Sequence, residues 1–460
     1  MSNKSNFYEK HRHKIKFLFY LAEIFLLSYG FLNIWLHFYS NVGRQTLAGR
    51  GGIVLLLNYA LVIYLVYQLT DSYSYGQLRL SYIQISKTIS ICISDFFEYF
   101  IVSLMANRLV IVYPMLLHLV VSVLISFVFT YFETFLYHHY HSPRDVLLIY
   151  GSEKGLAINK KLMTRPDRYS INSEISASTN INQILKEIDK HDSIILNDIE
   201  DKKRNTIVKY CYSHYKRIYI VPKLSDILIS SSEHVNTFDT PLELIKVSDM
   251  TMMQRIIKRT ADVVLSLIAL IITLPITLVI SLLIYLEDKG PVFFIQKRIT
   301  DHEKEFNLIK FRSMRTDAEK GGYDIKTMRA GEDDPRITKI GKFIRACRID
   351  ELPQILNILK GDMSIVGPRP ERIENHIEYS KEIKEWPLRT RVKAGLTGYA
   401  QIFGKYNTTP YDKLRLDLTY ISEYSLLLDI KLIFMTVAIL FRKESTEGFS
   451  NQEVEEIMHD

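Results

Sequence analysis

Val263-Val-Leu-Ser-Leu-Ile-Ala-Leu-Ile-Ile-Thr-Leu-Pro275-Ile-Thr-Leu-Val-Ile-Ser-Leu-Leu-Ile-Tyr-Leu286 carries no charge, and a proline sits near its middle. A run of this length can cross about 30 Å of hydrocarbon. Proline removes a backbone donor and kinks or breaks a helix. Two readings therefore compete. One is a straight crossing. The other is a helix over about 258–287 that enters, breaks at Pro275 and leaves by the same face. Arg255, Lys258, Arg259 and Asp262 precede the run, and Glu287-Asp288-Lys289-Gly290-Pro291 closes it. The side of the membrane that receives the charged remainder decides between the readings, and that depends on the segments before it.

The chain has 460 residues, 47% hydrophobic and 24% charged, with a net charge of 58 − 51 = +7. At roughly 150 residues per domain this is about three domains. The averages exclude collagen, a wholly disordered chain and a disulfide scaffold. Cys92, Cys211 and Cys347 lie far apart, so no zinc-finger spacing or thiol pair is readable. The leader is basic, with Lys4, Lys10, Arg12, Lys14 and Lys16, which predicts a cytosolic N-terminus. Apolar stretches follow near 17–36, Ile53–Leu69, 86–105 and 109–132. Four crossings in residues 1–136 return the chain to the cytosol. The third stretch is weaker because it carries Lys87, Asp95 and Glu98, which either face a bundle interior or sit at the membrane interface.

After His141-Ser-Pro-Arg-Asp145, residues 144–245 show a βαβ rhythm. Val146–Tyr150 reads as a buried strand, and Ser193–Leu196 and Arg217–Val221 as further short strands, of a small parallel-sheet, Rossmann-like domain. Gly151 and Gly155 after the first strand could seat a phosphate at a helix N-terminus. Their spacing is not GxGxxG, and a tight strand-to-helix turn needs glycine anyway.

Most motifs lie within 290–404, inside a third domain over 250–460. Phe306-Asn-Leu-Ile-Lys-Phe-Arg312 alternates like a strand and puts Lys310 and Arg312 on one face. Asp333-Asp334-Pro335-Arg336 is a charged turn, and Gly341-Lys-Phe-Ile-Arg345 lies on a predicted helix. In Arg348-Ile-Asp350-Glu351-Leu-Pro353-Gln354, proline marks a helix start with the acidic pair at its N-terminal end. Gly361-Asp362-Met-Ser-Ile-Val-Gly367-Pro368-Arg369-Pro370-Glu371 ends in a rigid loop, and Gly395-Leu-Thr-Gly398 is a loop of little bulk. Adjacent carboxylates on a helix point about 100° apart, so they can divide two tasks. One can attack a phosphoryl group, and the other can hold a hard cation such as Mg²⁺. Surrounding lysines and arginines would neutralise phosphate oxygens. The blander readings are a helix cap for the acidic pair, a solvated turn for Asp333-Asp334, lipid headgroup contacts for the cations, and a surface position for His302.

Together the motifs resemble the bacterial sugar transferases that act on polyprenyl phosphate, the large monotopic phosphoglycosyl transferases. The matching stretches are Lys258-Arg-Thr-Ala-Asp262, Gly290-Pro-Val-Phe-Phe-Ile-Gln296-Lys-Arg298, Lys310-Phe-Arg-Ser-Met314, Asp334-Pro-Arg-Ile-Thr338, Asp350-Glu-Leu-Pro-Gln354 and Gly361 to Pro370. Gly395-Leu-Thr-Gly398, Asp417-Leu-Thr-Tyr420 and Asp429 continue the match. The resemblance implies a membrane protein of three parts: an α-helical four-helix transmembrane bundle, a small α/β Rossmann-like domain, and an α/β monotopic catalytic domain with a re-entrant helix broken at Pro275. It implies that Asp350 attacks the β-phosphate of a UDP-hexose and releases UMP. Undecaprenyl phosphate then accepts the sugar phosphate. Glu351 would hold Mg²⁺, and Lys310, Arg312, Arg336, Arg345, Asp362 and Arg369 would serve substrate or phosphate. Two positions depart from the family pattern: Leu274 replaces the serine before Pro275, and Thr300–Glu305 replaces a glycine-containing turn.

The expectation is an initiating transferase of a surface polysaccharide (exopolysaccharide, capsule or O-antigen), acting on UDP-glucose or UDP-galactose at the cytosolic face of the bacterial inner membrane. Membrane lipid is an expected partner and nucleic acid is not; the oligomeric state, a homo-oligomer included, is left open. A cytosolic active site that uses a nucleotide sugar favours re-entry over a fifth crossing. Two alternatives stand beside this: a non-catalytic membrane scaffold that binds nucleotide and regulates export, and a transferase in which the lipid phosphate attacks directly.

Overall fold

The computed structural model describes residues 3–39, 50–73, 80–140, 143–152, 158–159, 162–163, 166–237, 239–245, 250–315, 336–404 and 408–440. They fall into two compact units that divide between Val221 and Pro222. In the first, α1 (Asn3–Ile34, continued by a π-helical turn to Tyr39), α2 (Arg50–Leu69), α3 (Leu80–Ala106) and α4 (Tyr113–Tyr140) pack side by side. Their outer faces show Phe25, Leu57, Phe96 and Leu124, and each helix is long and apolar enough to cross a membrane. The polar side chains turn inward. Lys87 donates to Glu23 at 2.6 Å, His118 Nδ1 lies 3.0 Å from Asp95, Tyr59 donates to Asp95 at 2.9 Å, and Asn58 donates to Glu98 at 2.5 Å. Asp95 and Glu98 are buried and face the interior of the helix group, as one of the two readings expected. A charge facing hydrocarbon costs several kcal/mol unless paired, and the neighbouring helices supply the partners.

The rest of this unit is a parallel sheet in the order β2-β1-β3-β4, from β1 (Arg144–Tyr150), β2 (Tyr169–Ser176), β3 (Ser193–Asn197) and β4 (Arg217–Ile220). Helices α5 (Ile181–Lys190) and α6 (Asp201–Ser213) bury Ile184, Ile188, Ile207 and Cys211 against it. Gly151 follows β1 because a Cβ there would lie 1.7 Å from the Asp198 carbonyl oxygen. Backbone crowding therefore accounts for this glycine; Gly155 lies outside the described residues.

The second unit begins with α7 (Leu224–Ser230), whose Ile227 packs with Trp386, Leu414 and Leu418, although the sequence places it within 144–245. A hairpin of β5 (Glu233–Thr237) and β6 (Thr240–Leu244) follows. Then α8 runs unbroken from Met252 to Asp288, with Pro275 inside it and a Thr251–Gln254 capping box at its start. Helical backbone continues on both sides of Pro275. Its middle is exposed and apolar, as Ile271, Ile272, Leu274 and Leu278 show. Its two ends are anchored. Lys258 bonds Asp429 at 2.6 Å, and Asp262 accepts from Ser364 and from the Ile365 amide at 3.1 and 3.0 Å. At the other end Ile280 and Ile284 are buried with Phe311 and Ile344, and Asp288 pairs with Arg312.

Strands β7 (Phe293–Ile299) and β8 (Glu305–Phe311) form an antiparallel hairpin. In its turn His302 and Glu303 have φ of 51° and 58°, so the Thr300–Glu305 segment adopts left-handed backbone without a glycine. Beyond it come α9 (Lys339–Ala346), α10 (Gln354–Lys360), β9 (Ser364–Val366), α11 (Ile373–Glu382), β10 (Gly395–Thr397), α12 (Tyr399–Phe403), α13 (Pro410–Ser422) and α14 (Leu426–Leu440). Left-handed backbone costs an L-residue about 1–2 kcal/mol, of which glycine's larger unfolded-state entropy takes back about 0.5–1. His302→Gly is therefore expected to raise the unfolding free energy by about 0.5–1 kcal/mol. Denaturation in detergent measures it, and a lower midpoint would contradict this account of the turn.

Candidate active site

The acidic pair sits where helix formation fails twice. Arg348, at φ 54°, turns the chain out of α9. Pro353 has no N–H to return to the Ile349 carbonyl, which disfavours an α-helix running from 349 into α10. The Ile349–Glu351 segment instead forms a single 3₁₀ turn, with Leu352 N donating to Ile349 O at 3.1 Å. Asp350 and Glu351 thus lie at the N-terminal end of the helix that Pro353 starts, on a 3₁₀ turn of their own. In a 3₁₀ turn successive side chains diverge by about 120°, so the two carboxylates still point apart.

Glu351 is the electrostatic centre. Lys310 from β8 and Arg369 from the loop after β9 both donate to its Oε1, at 3.1 and 2.7 Å. Burial alone would push the Glu351 carboxyl up, but Arg369, Lys310 and Arg348 outweigh it and hold the group well below the usual carboxylate range. Asp350 behaves in the opposite way. Burial raises its pKa, the charge on Glu351 raises it further, and Lys310, Arg345 and Arg369 only partly offset this. Burial also lowers the Lys310 ammonium despite its carboxylate partner. The result is one carboxylate whose ionised form two cations favour and, beside it, one poorly solvated carboxylate among cations.

The structure therefore brings Lys310, Arg345 and Arg369 to Asp350 and Glu351. Arg312 and Asp362 have further partners of their own. Arg312 is buried against Asp288 and ties the end of α8 to the strand that carries Lys310. Asp362 lies past the far end of α10, bonded to Lys360 at 3.1 Å and reached by Asn357 at 3.4 Å. Arg336 adjoins Ile337, and its carbonyl accepts from the Arg315 amide at 2.9 Å. Asp333 and Asp334 lie outside the described residues. His302 is exposed, as expected.

Close backbone contact holds the Arg369 loop. Gly367 N donates to Thr397 O at 2.8 Å, and Gly395 N donates to Pro368 O at 2.9 Å. A Cβ on Gly395 would fall 2.1 Å from Gly367 N. Two residues that the sequence did not single out for the site hold the same loop from below. Arg298 donates to Pro370 O at 3.2 Å, and Arg389 donates to Arg369 O at 3.0 Å. Arg298 stood within a recognised motif. Arg389 carried no sequence signal, because its value lies in burial beside Asp417, which is distant in the chain.

The chain matches known proteins over this same region. A profile of the family described as Bacterial sugar transferase covers residues 253–443, which contain every site residue named above. Over 191 residues the chain is 36% identical to the exopolysaccharide production protein ExoY of Sinorhizobium fredii, covering 39% of this chain and 83% of that protein. The chain belongs to the bacterial sugar transferase family. It is also 45% identical over 162 residues to the galactosyl transferase CpsE of Streptococcus agalactiae, covering 34% of this chain and 35% of that one. To the UDP-glucose:undecaprenyl-phosphate glucose-1-phosphate transferase of Escherichia coli it is 38% identical over 208 residues, 44% of this chain and 42% of that one. The chain thus spans well under half the length of these last two relatives. The glycines of this sugar transferase serve the backbone approach that sets Arg369. Gly395→Ala is expected to cost about 3 kcal/mol and to remove most activity; an unchanged melting midpoint would refute the contact.

Proposed function

We propose that the protein transfers hexose 1-phosphate from a UDP-hexose to undecaprenyl phosphate, at the cytosolic face of the bacterial inner membrane, and so begins assembly of a surface polysaccharide. The single observation that carries this is the Asp350–Glu351 pair: one carboxylate neutralised by Lys310 and Arg369, the other desolvated among cations. Phosphoryl transfer asks chiefly for positioning and positive charge. Asp350 attacks the β-phosphorus of the donor. The bond from that phosphorus to the bridging oxygen breaks, and UMP leaves with the electron pair. An oxygen of undecaprenyl phosphate then attacks the same phosphorus and releases Asp350. Lys310, Arg345 and Arg369 offset the charge on the transferred phosphate throughout. Glucose and galactose are the donor sugars favoured, since relatives named for each resemble this chain.

A divalent cation fits the donor set in part. Among the described residues no group of three or more His, Cys, Asp or Glu side chains is poised for a metal. Mg²⁺, however, commonly takes only one or two carboxylates together with substrate phosphates. Lys310 and Arg369 both occupy Oε1 of Glu351, which leaves Oε2 to meet such an ion alongside the diphosphate. The ion would supply further neutralisation of the phosphate oxygens.

Re-entry of α8 belongs to the same proposal, with α1–α4 as a transmembrane four-helix bundle. A straight helix would carry Asp288 about 39 Å from Asp262, past a hydrocarbon layer of about 30 Å. Yet both ends are tied to one α/β unit. Arg259 donates to the Ile358 and Leu359 carbonyls of α10 at 2.6 and 2.7 Å. The neighbouring Asn357 accepts from Ile309 of β8 at 3.0 Å, and Arg312 just beyond β8 holds Asp288. A bend at Pro275 brings the two ends together and leaves the exposed apolar middle in lipid. Single cysteines placed at residue 290 and in the N-terminal leader are expected to label from the same, cytosolic side in spheroplasts and inverted vesicles. Labelling from opposite sides would establish a full crossing.

Asp350→Asn is expected to abolish UMP release. Mass spectrometry of wild-type protein mixed with UDP-glucose or UDP-galactose should find a hexose-phosphate adduct on Asp350. Normal turnover without such an adduct would defeat the covalent mechanism.

A further inference from the structure

The loop that presents Arg369 is gripped from beneath by a charged pair that touches neither Asp350 nor Glu351. Arg389 and Asp417 are 4% and 1% exposed. Arg389 Nη2 and Nε lie 2.7 and 2.9 Å from the same oxygen of Asp417. The guanidinium also stands over the Trp386 ring at 4.5 Å, lies 3.7 Å from Glu371, and donates to the Arg369 carbonyl at 3.0 Å. A buried ion pair rarely adds net stability, since well-packed apolar residues of similar volume do as well or better. Its distinctive capacity is geometric. The planar guanidinium can hold a carboxylate and a main-chain carbonyl in one fixed fork, which an ammonium cannot reproduce.

We propose that Arg389, oriented by Asp417, is a positioning residue that sets the reach of Arg369 toward Glu351 and the donor's diphosphate. Arg369 then has two fixed points, its carbonyl on Arg389 and its guanidinium on Glu351. A displacement of about 1 Å at such a point can cost on the order of 100-fold in rate. This inference rests on the reading of Asp350, Glu351 and Arg369 as phosphoryl-transfer machinery.

The test is a double-mutant cycle on the purified full chain, with UMP release measured over a range of UDP-glucose and UDP-galactose concentrations in the presence of undecaprenyl phosphate. Arg389→Lys is expected to raise KM for the donor and lower kcat/KM about tenfold, and Arg369→Lys to lower kcat/KM about 100-fold. The double variant should be no worse than Arg369→Lys alone, because Arg389 acts through that side chain. The proposal is overturned if the losses multiply, if Arg389→Lys keeps wild-type kinetics, or if its Vmax falls with KM unchanged in step with the folded fraction. Should Arg389→Lys fail to fold, Asp417→Asn takes its place in the cycle under the same criteria. Asp350→Asn run in parallel tests the underlying reading separately: turnover in that variant would refute the nucleophile while the cycle still reports on Arg389.

Discussion

The architecture of the second unit answers to one constraint, a largely buried carboxylate on Glu351 that must stay ionised. An anion withdrawn from water without partners costs several kcal/mol. Here one oxygen accepts from two cations borne on separate elements, Lys310 on β8 and Arg369 on the loop after β9. The 3₁₀ turn, the hairpin and the loop must therefore arrive together. Asn357 joins α10 to β8 through the Ile309 amide and the Asn307 carbonyl, and Arg259 joins α8 to the end of α10. Contacts adjoining those that neutralise Glu351 thus register the apolar helix against the site.

That registration gives a physical reason for an active site built beside a membrane-seeking helix. A second buried network extends it, with Lys258, Tyr420 and Asp429 mutually bonded and Tyr420 donating to the Val366 carbonyl at 3.2 Å. Val366 immediately precedes the Gly367-Pro-Arg369 loop. The N-terminal turns of α8 and the Arg369 loop are thus held by one connected set of buried polar contacts.

Local signals were legible where one residue type has one physical use. The apolar runs, the strand alternation around Lys310 and the break at Pro353 were read from composition and spacing. The acidic pair was read too, with its supporting element displaced from a helix to a 3₁₀ turn. That displacement depends on Arg348 entering left-handed backbone, which its residue type does not announce. Lys310 and Arg312 share a strand face, yet one serves Glu351 and the other Asp288. Two cations two residues apart cannot be separated by role until their partners are in place. Asp362 likewise shows its partners, Lys360 and Asn357, only in the fold. Arg389 was invisible because nothing in its neighbours foretells a partner at Asp417.

The sequence by itself determined what depends on single residues and short spacings: which segments seek lipid, where helices must end, where glycine alone allows two backbones to meet, and which carboxylates and cations are available. Tertiary structure alone decided which of those cations face Asp350 and Glu351, and which buried pair holds Arg369. Electrostatic roles are set by distances of about 3 Å between residues far apart in the chain, and only the folded arrangement fixes such distances.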